Sequence, residues 1–390
     1  MARPLTLLYV ATFLFTLMQG AGLPLIPQHL KLTFGAGLFL VGLVSGVFGA
    51  MQIFLRLPLG DVTDRRGRRF GLFAAFGTAA VSGAFYVLAA SPAWLAAAQA
   101  LFGFASGIFW VSANAYLFDH AAPGEIHAAT SNYAMALGLA FLVGPPLGGA
   151  VADTYGFAVA LLVFPVAGLL GLGLVALMPE AARLEGPRPE GSVGVRARRL
   201  LRHPDLMMSV VGTLAFSTLF STLSAFFPVY LVALGFGAFL VGVLTAVRQV
   251  ASTATRSVMP RLLARFGARN VIVAGVAVSA AFVALTPFLT DPWALAALSA
   301  ATGLGMGVMV PANLTLIAGA APAAERGLAN GLYGTALGVG SSVAPLAFGY
   351  AGATFGAAAP FWLAALTAPL VIALGWNRAK AAGPAAPAPG

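Results

Sequence analysis

Apolar residues along this chain do not alternate with polar ones. They run almost unbroken for twenty residues or more and are separated by short polar punctuations. A helix needs about 20 apolar residues to cross the roughly 30 Å hydrocarbon core of a bilayer. Twelve stretches meet that length: residues 5–29, 38–59, 70–90, 93–118, 128–152, 157–178, 206–233, 238–260, 270–289, 293–318, 327–351 and 357–377. The pattern predicts an all-α membrane protein of twelve transmembrane helices, with both termini on one side because the number is even. Glycine and proline recur inside the apolar runs, where they suit helices that bend and pack closely.

The polar segment Pro179–His203 divides the spans into two sets of six. The expected organisation is a six-helix bundle over 1–178, a linker over 179–204, a second bundle over 205–378 and a disordered tail over 379–390. The end of the linker, Val195 to Arg202, reads as a short basic helix at the membrane surface. The halves repeat at a constant offset of 200. Phe39-Leu40-Val41-Gly42 meets Phe239-Leu240-Val241-Gly242, Gly67 and Arg69 meet Gly267 and Arg269, and Gly103, Pro145, Gly149 and Gly156 meet Gly303, Pro345, Gly349 and Gly356. Two pseudo-symmetric six-helix bundles follow, with a solute path at their interface near the bilayer midplane.

Charge sets the orientation. Of the 21 Lys and Arg, seventeen fall in loops and ends on the side of the termini, only Lys31 falls on the other side, and Arg56, Arg248 and Arg256 lie inside spans. Basic loops stay cytoplasmic, so both termini are expected inside a cytoplasmic (inner) membrane. The net charge of +10 is then a topology and lipid-surface feature and not a nucleic-acid patch. Composition agrees: 60% hydrophobic and 8% charged residues are far from the roughly 25% charged of soluble domains. With no cysteine and four scattered histidines, thiolate sites, disulfides and metal-ligand spacings are excluded. No phosphate-binding loop and no nucleophile–base pair is visible, so neither an enzyme nor an ATP-driven pump is expected, and no cofactor.

Two strings carry more than topology. Gly60-Asp61-Val62-Thr63-Asp64-Arg65-Arg66-Gly67-Arg68-Arg69 holds six charges between spans 2 and 3. A basic cluster alone would orient the protein but leaves Gly60, Asp64 and Gly67 unexplained. Gly138 to Gly149 in span 5 contains Gly144-Pro145-Pro146-Leu147-Gly148-Gly149, where the prolines bend the axis and the glycines admit a neighbour. The first string resembles the loop between helices 2 and 3 of the major facilitator superfamily, and the second is similar to the span-5 signature of its antiporters. Gly22-Leu23-Pro24-Leu25-Ile26-Pro27 is similar to the end of helix 1 in its drug-exporting members. The resemblance implies a twelve-helix secondary transporter of the drug or metabolite antiporter branch, working by alternating access and exchanging solute for protons. It makes Asp64 a latch acid facing the start of span 11, with Gly60, Arg65 and Gly67 beside it, and pairs Arg68 with Asp119 at the end of span 4. Gly144, Pro145, Pro146 and Gly149 become conformational residues.

The chain departs from that branch in its acids. All eleven lie in loops or at span ends, and Gln99 stands four residues before Gly103 where exporters often carry Arg. No mid-membrane carboxylate is at hand for a coupling proton, so facilitated or exchange transport stays open. Arg248, ten residues into span 8, costs on the order of 2.5–3.5 kcal/mol to insert, so it should face protein or water. It reads either as a contact for an anionic solute, making the chain an organic-anion importer, exchanger or facilitator, or as a structural arginine on backbone carbonyls. Gln19, Gln52, Trp110, Asn114, Ser217, Ser221, Gln249, Asn313 and Tyr333 form a neutral polar and aromatic set suited to an amphipathic organic solute, though each alone also reads as an interhelical hydrogen bond. A small molecule, membrane lipids and, by resemblance, protons are the expected partners of a monomer. A receptor that kept the fold and lost transport is the reading from another class.

Overall fold

The computed structural model describes residues 3–122, 125–180, 193–322 and 325–381. Every regular element among them is helical. Among the described residues nine helices are long and apolar enough to span a membrane. One of these, α10 (Ala238–Leu285), is two spans joined at Gly267, whose φ of 74° breaks the helical path. Leu38–Ile53 and Ala359–Leu374 add the two shorter apolar helices, which completes twelve spans. The protein is a multi-pass membrane protein.

The first half runs through α1 (Arg3–Phe34), α2 (Leu38–Arg66), α3 (Arg68–Val87), α4 (Pro92–His120), α5 (Ile126–Tyr155), and the pair α6 (Phe157–Ala160) and α7 (Val163–Ala176). The linker ends in α8 (Val193–Arg202). The second half follows as α9 (Pro204–Ala233), α10, α11 (Pro292–Ala320), α12 (Arg326–Phe355), α13 (Ala359–Ala365) and α14 (Thr367–Ala381). Span 6 breaks after Ala160 and span 12 after Ala365. Pro165 and Pro369 stand just beyond these breaks. Each proline ring would collide with the carbonyl four residues earlier, at Leu161 and Ala365, and supplies no N–H to it.

The expected loop at 60–69 is shorter than the sequence suggests. α2 stays helical to Arg66, so Gly60 lies within the helix and the turn is carried by Gly67 alone, at φ 103°. Among the described residues the left-handed glycines are Gly35, Gly67, Gly156, Gly235, Gly267 and Gly356, three pairs each 200 residues apart. The repeat in the sequence is therefore a repeat of backbone conformation, and the two bundles are pseudo-symmetric.

The halves meet through small residues. A Cβ on Gly42 of α2 would run into the carbonyl of Pro345 in α12, and one on Gly242 of α10 into the carbonyl of Pro145 in α5. Gly46 and Gly49 face Ser342 and Ser341, and Gly149 faces the Ala238 carbonyl. Lipid tails are as apolar as leucine, so such helices associate by close van der Waals contact, which glycine permits. Among the described residues the backbone-level approaches lie toward the face opposite the termini, and at about mid-height Gly138 meets the Thr253 side chain and Gly338 that of Ile53. Toward the terminal face, Asn114, Thr130, Arg256 and Thr315 are exposed, and Gly107 has open space before it. Among the described residues, the closest approaches between the halves gather at the face opposite the termini.

Candidate substrate cavity

A cavity of about 610 Å3, part of it open to solvent, lies between the halves. Its wall takes Gln19, Leu23 and Ile26 from α1, Ser45 and Phe48 from α2, and Gln99 and Phe102 from α4. Phe220, Ser221 and Ser224 come from α9, and Ser341 and Pro345 from α12. Aromatic stacking fixes the first wall. Phe15, one turn before Gln19, stacks on Phe109 at 3.9 Å and on Phe102 at 5.5 Å, which locks α1 against α4. Gln19 Oε1 and Ser45 Oγ are buried without a hydrogen-bond partner. Gln99 is engaged, its Oε1 accepting from the Tyr86 hydroxyl at 2.8 Å. On the facing wall, Ser221 donates to the carbonyls of Thr218 (3.2 Å) and Gly340 (3.1 Å), and Ser224 to that of Phe220 (2.8 Å). The cavity thus offers rings, hydroxyls and one free amide oxygen, and no carboxylate among its lining residues.

Of the residues singled out in the sequence, Gln19 and Ser221 share this wall. Arg248 sits behind it, 3% exposed, with its Cζ 5.8 Å from the centre of the Phe220 ring. The remaining polar set lies elsewhere. Ser217 donates to the Ala336 carbonyl at 3.2 Å and ties α9 to α12. Asn313 is buried between α11 and α9, its carbonyl accepting from Ser209 at 3.2 Å. Asn114 is exposed and donates to the Trp110 carbonyl at 2.8 Å, while the Trp110 ring packs on Phe109 at 5.2 Å. Tyr333 packs against the small apolar cluster of Leu200, Leu206, Ile317, Ala321 and Ala329. Gln52 and Gln249 are half-buried outside the wall. Ser45, Phe48 and Ser341 are wall residues that polarity alone did not single out. Phe48 had a signal, since it is the repeat mate of Arg248 at the 200-residue offset.

At the terminal face, Arg68 Nε lies 3.3 Å from Asp119 Oδ2. Glu180 approaches the left-handed Gly67 where a side chain would otherwise stand, and accepts from the Arg69 N–H at 3.4 Å. Arg69 donates to the carbonyls of Val175 (3.1 Å) and Ala176 (2.6 Å). The side chains of Gly60's neighbours Asp64 and Arg65 lie outside the described residues, as does the environment of Gly60 itself. At the opposite face Asp153, read from sequence only as an acid at a span end, crosses between halves. Its two oxygens accept from the N–H groups of Ala238 and Phe239, each at 2.8 Å, and cap the first turn of α10. Gly144, Pro145, Pro146 and Gly149 lie on the same α5, and Gly144 and Gly148 pack on α1.

The family model of the Major Facilitator Superfamily matches residues 8–259 and 232–390, which together take in almost the whole chain. The chain belongs to the major facilitator superfamily. Among curated relatives it is 28% identical over 182 residues to the multidrug resistance protein MdtG of Dickeya zeae (strain Ech586), covering 45% of this chain and 44% of that one. It is 40% identical over 58 residues to an uncharacterized transporter of Buchnera aphidicola subsp. Schizaphis graminum (strain Sg), 15% of that protein's length. The chain therefore aligns to less than half the length of these relatives. Among solved structures it is similar to the nucleoside transporter NupG in its D323A form, with a TM-score of 0.81 at 15% identity, covering 97% of this chain and 99% of that one. A POT family transporter in complex with 5-aminolevulinic acid gives a TM-score of 0.80 at 12% identity over 97% and 96%. At such identities the superfamily fold is what these neighbours share with this chain.

Proposed function

We propose that this superfamily member is a secondary transporter that exports a small amphipathic organic solute, a drug or metabolite, across the cytoplasmic membrane by alternating access in exchange for protons. The observation that carries this reading is the cavity between two pseudo-symmetric halves whose close contacts gather at one face. The cavity's mix of phenylalanines with a few hydroxyls and one amide suits a solute with an apolar body and a polar end. The export direction draws on the span-1 and span-5 strings and on the likeness to MdtG. The basic loops support termini on the cytoplasmic side.

The test is flux in proteoliposomes with an entrapped pH indicator, across cationic, neutral and anionic amphipathic compounds. Solute-driven proton movement opposite to solute movement is the expected result. Flux with no pH signal would remove proton exchange, which has no carboxylate on the described wall to carry it. Binding without flux would favour the receptor reading.

A further inference from the structure

Arg248 is a charge that nothing around it answers. It is 3% exposed, its Nε and Nη1 have no hydrogen-bond partner, and none of the ion pairs among the described residues includes it. A guanidinium keeps its charge, and a buried charge without a partner is the costliest arrangement a helix bundle can hold. The face of Phe220, 5.8 Å from Cζ, supplies cation–π attraction and no acceptor. The structural alternative, an arginine bonded to carbonyls of a bent neighbour, does not match these bare nitrogens.

The position points to the cavity. Under the pseudo-symmetry Arg248 stands where Phe48 stands in the first half, and both pack their backbone on a repeat-mated glycine, Arg248 on Gly303 and Phe48 on Gly103. Phe48 is on the cavity wall, and so is Phe220, the ring over which the Arg248 guanidinium lies. Across the cavity, Gln19 Oε1 is a second buried group without a partner, and it accepts only.

We infer that the cavity selects organic anions: a carboxylate, sulfonate or phosphonate on a flat apolar body, with the anionic group held by Arg248 once the Phe220 ring turns aside, and a hydroxyl or amine of the solute donating to Gln19. The planar fork of guanidinium donors matches such oxyanions. This rests on the transport reading above and names its substrate class.

The experiment is thermal unfolding of the purified full chain in detergent, wild type beside Arg248→Met and Arg248→Lys, without ligand and with naphthalene-2-sulfonate, its carboxylate and phosphonate analogues, and the neutral naphthalene-2-sulfonamide. Expected is an Arg248→Met midpoint equal to or above wild type without ligand, since an unanswered buried charge has been removed. At least one anion should raise the wild-type midpoint by about 3 °C or more, through binding to the folded state alone. The sulfonamide should not, Arg248→Met should lose the response, and Arg248→Lys should keep part of it. A ligand-free midpoint several degrees lower in Arg248→Met would make the arginine structural and overturn the inference. So would equal shifts from sulfonate and sulfonamide, or no shift from any of the three anions. Flux of neutral or cationic compounds alongside those failures would leave the transport reading intact, whereas anion binding without flux of any compound would fail transport alone.

Discussion

A single carboxylate, Asp153, ties the halves together at the closed face. Its two 2.8 Å bonds satisfy N–H groups that the first turn of α10 leaves without helical partners, and its charge complements the positive end of that helix. Loss of a helix cap costs about 0.5–2 kcal/mol. Asp153→Ala is therefore expected to shift the population away from closure at this face by about 2- to 30-fold. Distances between spin labels at exposed positions 32 and 293, one in each half, would report it, and unchanged distributions in the variant would refute it. Asp153→Asn, which keeps one acceptor oxygen, should shift less. The sequence offered no way to see this. It placed Asp153 at a span end, but the Ala238 N–H it reaches is 85 residues away, and Ala353 at the repeat-related position carries no acid. Gln19 and Ser221, by contrast, already stood out in the sequence as polar residues within membrane spans.

Helix ends and breaks follow local chemistry, and helix contacts follow size. The proline breaks in spans 6 and 12 and the left-handed glycines at 67 and 267 are properties of the chain alone. Gly242, however, has meaning only because the Pro145 carbonyl lies against it. Gly242→Val should keep both helices and part the halves, seen as retained helicity with loss of transport; normal flux would show that the contact tolerates a side chain. The linker helix α8 makes the second case. Its basic, amphipathic sequence foretold a helix, but not its docking. Arg196 and Arg199 converge on Glu325 at the start of α12, with Arg196 Nε 3.6 Å away and the Glu325 side chain 8% exposed, while Leu200 packs on Leu206 and Ile317. Arg199 is 70% exposed and contributes little, so the pair with Arg196 dominates. Glu325→Gln should loosen α8, raising its amide exchange by about tenfold, roughly 1.4 kcal/mol of local stability. Exchange at the wild-type rate would assign the docking to Leu200 instead.

At the scale of the whole molecule, the proposed alternating access requires the closed face to open. Phe39 of α2 and Tyr350 of α12 belong to different halves, and their rings meet there at 6.4 Å. The chain has no cysteine of its own, so a Phe39→Cys/Tyr350→Cys pair can be cross-linked without interference. Cross-linking should abolish flux and reduction should restore it, with each single variant unaffected by oxidant. Full activity in the cross-linked protein would mean that this face does not open during transport.

The number of spans, the repeat at 200 residues and the superfamily resemblance were all fixed by the order of residues. Membrane-length apolar runs admit only helices, and a repeated pattern of glycine and proline repeats a backbone. The pairing of Arg68 with Asp119 came from resemblance and lies at 3.3 Å in the structure. Which polar residues face the cavity was decided by the tertiary fold. A polar side chain in a span has two ways to be satisfied, by a neighbouring helix or by the path between halves, and helical spacing is the same for both. Ser217 and Ser221 are one turn apart on α9, yet only Ser221 reaches the wall. The bare guanidinium of Arg248 is likewise a fact about what its neighbours lack, and only the packed halves bring those neighbours together.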